Sequence, residues 1–499
     1  MSIYLWSKRH WPPLLLFSGI FGALLICCTP DVTWANLDYD LYDFLYSSTY
    51  LNVGHASGFP LFTMLGWLAT RLPGNPAWNM AFFLSVIPTM VTCGLIFWIV
   101  KRKTTNAWAP YLATMAFAGA QVVFSQATIP EIYSLATMFM VLAYVLLETD
   151  RRGWAMCALG FGCAVHYLAI VMIPIVMWRY RMVWHWGKAR PLLALAPGLL
   201  MYVYVLAANH PPHMSLGPTS LGSIYDYFAN HEGMALNIPV WWVPERLGEG
   251  IIVLGASFGV VLLFIALGLW QREHRTLFWL AAPGVIYYLT TLGPMAYVHM
   301  IPAFAFGAIA AGLVLEKLPR RVNLRPLVPV GLACSVLLLG ANAWTYDIGR
   351  TLDPTPTGAR QFFDSLDTLP DGAVVVCWDA VTFAGVYYHN EQEGRDLRPI
   401  HPVFIAPDKA YDWELNRLDG LDYTRTGSAK FPPPSDDWLA DWNGWCMAHT
   451  QAFVNNNPDE RIYVALSDLE DRTRRNIRLE RVFPSSWVAG ISSLSPLLP

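Results

Sequence analysis

The residues best equipped for chemistry crowd into one stretch, Asp38–Pro60, DYDLYDFLYSSTYLNVGHASGFP. Asp38, Asp40 and Asp43 fall within a few positions of one another, in a segment otherwise apolar and aromatic. His55 stands in a Gly-His-x-x-Gly-Phe-Pro turn. On a helix Asp40 and Asp43 share a face at i, i+3, with Asp38 to the side. A carboxylate facing a partly dehydrated cavity has its pKa raised, which suits a general base, and two together can hold a divalent cation such as Mg or Mn. Helix capping or solvated loop charge after Pro30 would use the same side chains, and His55 could equally be a satisfied polar group. Gly58 permits a tight bend and Pro60 fixes the start of the next helix.

Further candidates lie downstream. In FSQATIPEIYSL, residues 124–135, Glu131 follows Pro130 at the start of an apolar run, where a carboxylate complements the helix dipole. Capping alone would explain it. Gln126 and Tyr133 could supply hydrogen bonds to a sugar. His166, in GFGCAVHYLAIV, is an ionisable side chain at membrane depth, which marks a functional candidate by default, although core histidines bonded to a carbonyl are common. Arg71 and Arg246 fall in loops away from the other cations and could grip a lipid phosphate; for Arg246 an ion pair with Glu245 or Glu249 is the plain alternative. Tyr297 and His299 mark the end of a later span and could close over a lipid headgroup. His210, His213 and His231 lack the spacing of a structural metal site.

These residues need a scaffold, and composition names it. The chain has 499 residues, 55% hydrophobic and 14% charged, with a mean hydropathy of +0.36. Apolar runs of about 18 residues or more recur, the mark of a polytopic helical membrane protein. Spans are expected near 12–28, 78–100, 108–124, 133–147, 154–165, 166–177, 192–207, 251–270, 277–293, 298–315 and 326–344. Of the 19 Lys and Arg in residues 1–344, 17 lie at the N-terminus or in the 101–103, 151–152, 179–190, 272–275 and 317–325 connections. The positive-inside rule makes those segments cytoplasmic. About eleven crossings follow, with the loops 29–77 and 208–250 and the C-terminal part outside. The 154–177 run is short for two full spans, so two short helices broken around Gly160–Gly162, or a re-entrant hairpin, are expected.

Residues 345–499 differ in kind, with 14 basic against 23 acidic residues where residues 1–344 have 19 against 13. A helix is expected over 357–369, a turn at Pro370-Asp371-Gly372, a strand at 373–380, a helix at 382–390 and strands at 401–406 and 461–468. That is a soluble extracytoplasmic α/β domain, 345–499, on a transmembrane domain, 1–344. Trp413, Trp438, Trp442 and Trp445 could stack on sugar rings or form core. The eight Cys lack metal or disulfide spacing and read as apolar fillers. Lys8, Arg9 and His10 precede an apolar run with no small-residue cleavage site, so the first span is expected to stay uncleaved. A transporter is disfavoured, since no inverted repeat is visible. No Asn-x-Ser/Thr site occurs, which points to a bacterial inner membrane, with the C-terminal domain in the periplasm, over an endoplasmic reticulum.

The motifs together resemble a known family. The acidic pair, the His-x-x-Gly-Phe-Pro turn running into Leu-Phe-Thr-Met-Leu-Gly, the Ser-Gln-Ala-x-x-x-Glu-Ile-Tyr-Ser-Leu segment and Gly-x-x-x-His resemble the DUF2723 family, protein O-mannosyltransferase-like proteins of the GT-C fold. The likeness covers about residues 12–180 and extends weakly to FFDSLDTLPDGAVVVCWDA. The family's Asp-Ser-Gly-Glu falls on Asp40, Leu41, Tyr42 and Asp43. Its His-Pro-Pro-Gly-Tyr-Pro falls on His55, Ala56, Ser57, Gly58, Phe59 and Pro60, and its later Glu on Glu131. Here Ser-Gly has become Leu-Tyr, the first Glu is Asp, and both inner prolines are gone.

The resemblance implies a GT-C-like membrane glycosyltransferase, moving a sugar such as mannose from a polyprenyl-phosphate donor to an acceptor hydroxyl with inversion. Asp40 would be the base, Asp43 and Glu131 its partners, and His55 and Arg246 would face the phosphate. Gly58, Gln126, Tyr133, His166 and Arg71 would line the substrate, with the Asp40–Asp43 pair the place for any metal. Partners would be the polyprenyl-phosphate sugar lipid, a protein or lipid/glycan acceptor, membrane lipids and other membrane subunits, with no nucleic acid. The alternative is a catalytically altered member serving as a non-enzymatic subunit of a larger complex.

Overall fold

The structure, a computed structural model, describes residues 3–32, 40–54, 58–180, 190–208, 243–290, 296–316, 327–345, 358–377, 380–400, 438–471 and 474–482. Contacts divide the chain into two compact units. The first comprises Met1–Asp31 and Ser47–Thr355, the second Val32–Tyr46 and Pro356–Pro499.

Among the described residues the first unit is all helical. Its helices are α1 (Ile3–Cys27), α2 (Leu41–Tyr50, which ends in this unit), α3 (Pro60–Thr70), α4 (Pro76–Lys103), α5 (Ala109–Ala118), α6 (Gln121–Ala127) and α7 (Ile132–Glu148). Then come α8 (Arg152–Val165), α9 (Leu168–Arg179), α10 (Arg190–Ala207), α11 (Val243–Phe258), α12 (Val261–Trp270), α13 (Arg275–Thr290), α14 (Ile301–Val314) and α15 (Leu327–Ala343). Helix α14 is apolar on every side and every one of its residues is buried, so it is the hub of the core.

Lipid offers no hydrophobic drive between helices, so they close on small residues instead. A Cβ on Gly198 of α10 would lie 2.0 Å from the Gly160 carbonyl carbon of α8, and one on Gly268 of α12 would lie 2.3 Å from the Ala310 carbonyl of α14. By length and composition, three helices among the described residues can cross a membrane: Pro76–Lys103, Arg190–Ala207 and Tyr297–Val314. Two bent pairs raise this to five, α6 with α7 at 113° and α11 with α12 at 112°. Five shorter apolar helices, including Trp11–Cys27 and Leu327–Ala343, complete the set.

Two sequence expectations need correction. The 154–177 run breaks at His166-Tyr167, between α8 and α9, and not around Gly160–Gly162. Those glycines are packing positions: Gly160 admits the Leu195 backbone, and a Cβ on Gly162 would sit 3.3 Å from those of Ala169 and Phe139. Arg246 is not in a loop; it lies in the first turns of α11, while residues 209–242 are outside the described residues.

The second unit holds α16 (Gly358–Asp367), β1 (Val374–Cys377), α17 (Ala380–Glu393), β2 (Arg398–Ile400), α18 (Trp438–Asn456), β3 (Ile462–Asp471) and β4 (Arg474–Val482). The sheet order is β2-β1-β3-β4, with β1 parallel to both neighbours and β4 antiparallel to β3. Val374 pairs with Arg398 on one side and Ile462 on the other. A central parallel strand is covered on both faces, and all four β1 residues are buried. The turn at Gly372 (φ +76°) needs a glycine, and Arg395 pins it by donating to Asp371 at 2.9 Å and to the Asp367 carbonyl at 3.1 Å. The start of α2 belongs to this unit: the Tyr42 ring packs 4.9 Å from Phe363 of α16, and Tyr46 packs 6.1 Å from Tyr387 of α17.

Two predictions follow from this packing. Gly198→Ala should cost about 1–3 kcal/mol by forcing α8 and α10 apart, whereas Gly94→Ala, with open space at its Cβ, should leave thermal stability in detergent unchanged or slightly raised. In the second unit, burial holds His389 and His449 below the ordinary value of 6.5, although Asp367 lies 3.0 Å from His389 Nε2 and pulls the other way. Each folded pKa is depressed, so the unfolded chain takes up protons first. Stability is therefore fully present above about pH 6.5 and is lost as pH falls below it. Hydrogen-exchange protection of β1 and α17 should fall from pH 7.5 to 5.5, and His449→Gln should flatten that fall.

Candidate functional site

Glu131 sits at a helix break that has to satisfy its own backbone. It is extended (φ −136°, ψ 146°) and 3% exposed, and its carboxylate accepts from the Ile132 N–H at 3.2 Å as the cap of α7. Ser85 of α4 closes the break from the other side: its Oγ accepts from Glu131 N–H at 3.1 Å and donates to the Glu131 carbonyl at 3.3 Å. Ser85 lies in a π-helical stretch, Ala81–Val86, the kind of local widening often found at functional positions. A lone serine in an apolar run gives no signal, and the sequence does not reveal it. The capping role of Glu131 is therefore real, and it fixes a carboxylate in a buried setting.

His166 occupies the second break. It is extended (φ −155°, ψ 134°) and 2% exposed. The Leu168 N–H donates to its Nδ1 at 3.1 Å, so the neutral ring carries its proton on Nε2. Around it stand Tyr167 (ring centroids 4.2 Å apart), Tyr133 (5.5 Å), His299 (5.6 Å) and Phe59 (6.3 Å, stacked). Tyr133 Oη lies 3.5 Å from His299 Nε2, the His299 ring is 4.3 Å from that of Tyr287, and the Tyr167 hydroxyl donates to that of Tyr287. Tyr133, Tyr167, Tyr287 and His299 are partly exposed, while His166 is buried behind them. The result is a wall of phenol and imidazole groups, able to hydrogen-bond hydroxyls or phosphate oxygens. Tyr287 and Tyr167 were not legible as members, since aromatic residues in a span read first as packing.

Two local devices aim this wall. Gly58 (φ +78°) and Phe59 (φ +36°) are consecutive left-handed residues, the second bulky and therefore strained, and Phe59 is buried with its carbonyl accepting from Thr63 N–H at the start of α3. A Cβ on Gly284 of α13 would lie 2.7 Å from the His299 carbonyl, so the glycine lets that turn close on α13.

The other candidates are placed as follows. Gln126 is 1% exposed on α6. Arg71 ends α3, donates to the Thr49 carbonyl at 3.2 Å and lies 5.5 Å from the Trp67 ring centroid. Arg246 is 8% exposed and pairs with Glu249 at 3.1 Å, over the ring of Tyr288, whose hydroxyl donates to the Arg246 carbonyl at 2.8 Å. Asp40 precedes α2, with its carbonyl accepting from Phe44 N–H at 2.9 Å, and Asp43 is 2% exposed in the first turn. Both aspartates belong to the second unit, whereas Glu131, His166 and Arg246 belong to the first. Asp38, His55, His210, His213, His231 and Trp413 lie outside the described residues. Among the described residues no group of three or more His, Cys, Asp or Glu is assembled to hold a metal.

Comparisons with known proteins meet this geometry at the same stretch. Residues 40–189 match the family described as the Protein O-mannosyl-transferase TMEM260 N-terminal domain. The chain is 25% identical over 151 residues to Protein O-mannosyl-transferase tmem260 of Dictyostelium discoideum, a match covering 25% of this chain and 18% of that relative's length. A solved structure, ArnT from Cupriavidus metallidurans bound to undecaprenyl phosphate, is similar over 95% of this chain and 98% of that one, with a TM-score of 0.54 and 12% identity. The fold is accordingly a GT-C-like polytopic helical membrane fold.

Glu131 can be dissected by substitution. Glu131→Ala should destabilise the protein by about 1 kcal/mol through loss of the cap, while Glu131→Gln, which keeps an acceptor oxygen, should retain most of that stability in thermal unfolding.

Proposed function

We propose that this protein is a membrane glycosyltransferase related to the DUF2723 proteins, transferring a sugar, mannose by preference, from a polyprenyl-phosphate donor to an acceptor hydroxyl on the extracytoplasmic face, with inversion. One observation carries the reading. Among the described residues the first unit buries three charged or histidine side chains, Glu131, His166 and Arg246, and two of them fall inside the stretch matched to the O-mannosyl-transferase family. Buried ionisable groups in a membrane fold are costly and mark function. The fold's likeness to ArnT, a structure bound to undecaprenyl phosphate, supports a polyprenyl-phosphate lipid as donor.

A phosphate-linked sugar already has a good leaving group. The protein needs a base for the acceptor hydroxyl and positive or hydrogen-bonding groups for the developing phosphate charge. We assign Asp40 as base, with Asp43 and Glu131 as supporting carboxylates, and His55 and Arg246 to the phosphate side. Gly58, Gln126, Tyr133, His166 and Arg71 serve substrate binding. For Arg246 this role has to compete with its ion pair to Glu249.

A second reading has an observation of its own. Leu41 and Tyr42, where the resembling family has Ser-Gly, are both 0% exposed, and Tyr42 is committed to Phe363. A motif recruited into packing suits a non-enzymatic subunit. Transfer of mannose from a polyprenyl-phosphate donor to an acceptor, measured in membranes, separates the two. Asp40→Asn should lower the rate by about 100-fold or more with the protein still folded, and Asp43→Asn by a smaller factor. Wild-type rates in both variants would remove the catalytic assignment. An inactive wild type that co-purifies in a defined complex would favour the subunit.

A further inference from the structure

A groove of about 510 Å³ opens where α4 and α7 end and α8 begins, at the opposite ends of α7 and α8 from Glu131 and His166. Leu95, Trp98 and Arg102 line one side, one face of α4 at i, i+3 and i+7. Val145, Leu146, Thr149 and Arg151 line the other. Its walls are apolar and its rim is cationic.

The cations at this end of the bundle are not equivalent. Lys103 is paired with Glu148, and Arg152 with Asp150 at 2.9 Å. Arg102 and Arg151, the two that line the groove, have no carboxylate partner among the described residues. Arg102 rests its guanidinium 5.4 Å from the centroid of Trp98, a ring that is itself 42% exposed. Trp108 and Trp154, 57% and 70% exposed, stand at the neighbouring helix starts. Exposed tryptophans at one level are the signature of the membrane–water interface. Two helix C-termini meet here, whose dipoles repel an anion, together with the N-terminus of α8, which favours one. The guanidiniums supply planar, two-pronged donors suited to phosphate.

We propose that this groove binds one anionic phospholipid, its phosphate held between Arg102 and Arg151 and the start of an acyl chain lying against Leu95, Trp98, Val145 and Leu146. Charge complementarity selects the occupant. Two cations without a carboxylate partner among the described residues stand beside apolar walls, which fits a charged head with a hydrocarbon tail and not a free ion.

The test uses the full-length protein, delipidated in a neutral detergent, with phosphatidylglycerol and phosphatidylcholine titrated separately. Bound lipid is read by native mass spectrometry and by thermal shift. Phosphatidylglycerol should bind saturably at one site and phosphatidylcholine much more weakly. Arg102→Gln/Arg151→Gln should weaken phosphatidylglycerol binding about 10- to 30-fold, from the contribution of each basic residue near an anionic headgroup. Arg272→Gln/Arg275→Gln, in the basic turn between α12 and α13, should bind as wild type does. Equal binding of the two lipids overturns the proposal without recourse to any variant. So does wild-type affinity in the groove double variant, or an equal loss in the Arg272/Arg275 control. A thermal shift of the same size from inorganic phosphate alone would assign the guanidiniums to a free anion and overturn it as well.

Discussion

A chain inside hydrocarbon cannot leave a backbone N–H or carbonyl without a partner, and wherever a helix stops at membrane depth the protein must supply one. The helical unit meets that demand twice with ionisable side chains. At the α6–α7 break the Glu131 carboxylate takes the Ile132 N–H while Ser85 serves both the N–H and the carbonyl of Glu131. At the α8–α9 break the His166 ring takes the Leu168 N–H. The same constraint that allows the helices to break thus stations a carboxylate and an imidazole in the interior, each held by a bond it cannot readily give up. Structural and chemical duties fall on the same atoms, which is why arguing for one against the other misreads both residues.

Holding a side chain at a break also fixes its protonation geometry. With Nδ1 of His166 engaged by the backbone, the neutral ring carries its proton on Nε2, and the rings of Tyr133, Tyr167 and His299 stand around the imidazole. Rigid donors need no reorganisation when charge develops beside them, which is where their value for catalysis lies. The left-handed Phe59 serves the same end from the other side: a strained residue stacked on His166 persists because burial and the following α3 over-determine it.

How much of this was readable in the sequence depends on the kind of signal. Apolar length fixed the helices well, so that 133–147 became Ile132–Glu148 and 326–344 became Leu327–Ala343. Turn chemistry was equally legible, as at Pro370-Asp371-Gly372. Breaks were harder, because the cue lies in tertiary contacts. Gly160 and Gly162 looked like hinge points, yet they serve close packing against Leu195, Ala169 and Phe139, and the hinge formed at a histidine able to pay for its own backbone. Gly259 (φ +48°) marks a 112° bend in a run that reads as one unbroken span. In the second unit α18 and β4 escaped notice, the first because its tryptophans follow a proline-rich stretch, the second because its many arginines mask strand alternation. At the site, Glu131 and His166 announced themselves as charges in apolar surroundings. Ser85, Tyr167 and Tyr287 did not, since serine and tyrosine are ordinary in spans and acquire meaning only from their neighbours.

The departures at Leu41 and Tyr42 can now be weighed physically. Replacing a small Ser-Gly pair by two large side chains would be ruinous if the position faced an open substrate space, but both are wholly buried, and Tyr42 fills the gap between Phe363 and Gly385, where a Cβ would meet its ring at 3.4 Å. Tyr42 therefore answers to the packing of α16 and α17. Asp40 ahead of the helix and Asp43 in its first turn answer to the helix start, where the dipole and the open N–H groups favour a carboxylate whatever its length. A shorter Asp in place of Glu keeps that favour while drawing the charge about one methylene closer to the backbone. What separates an altered but working pair from a structural relic is thus a matter of reach, and reach is set by α2, whose register is held by the Tyr42 and Tyr46 contacts.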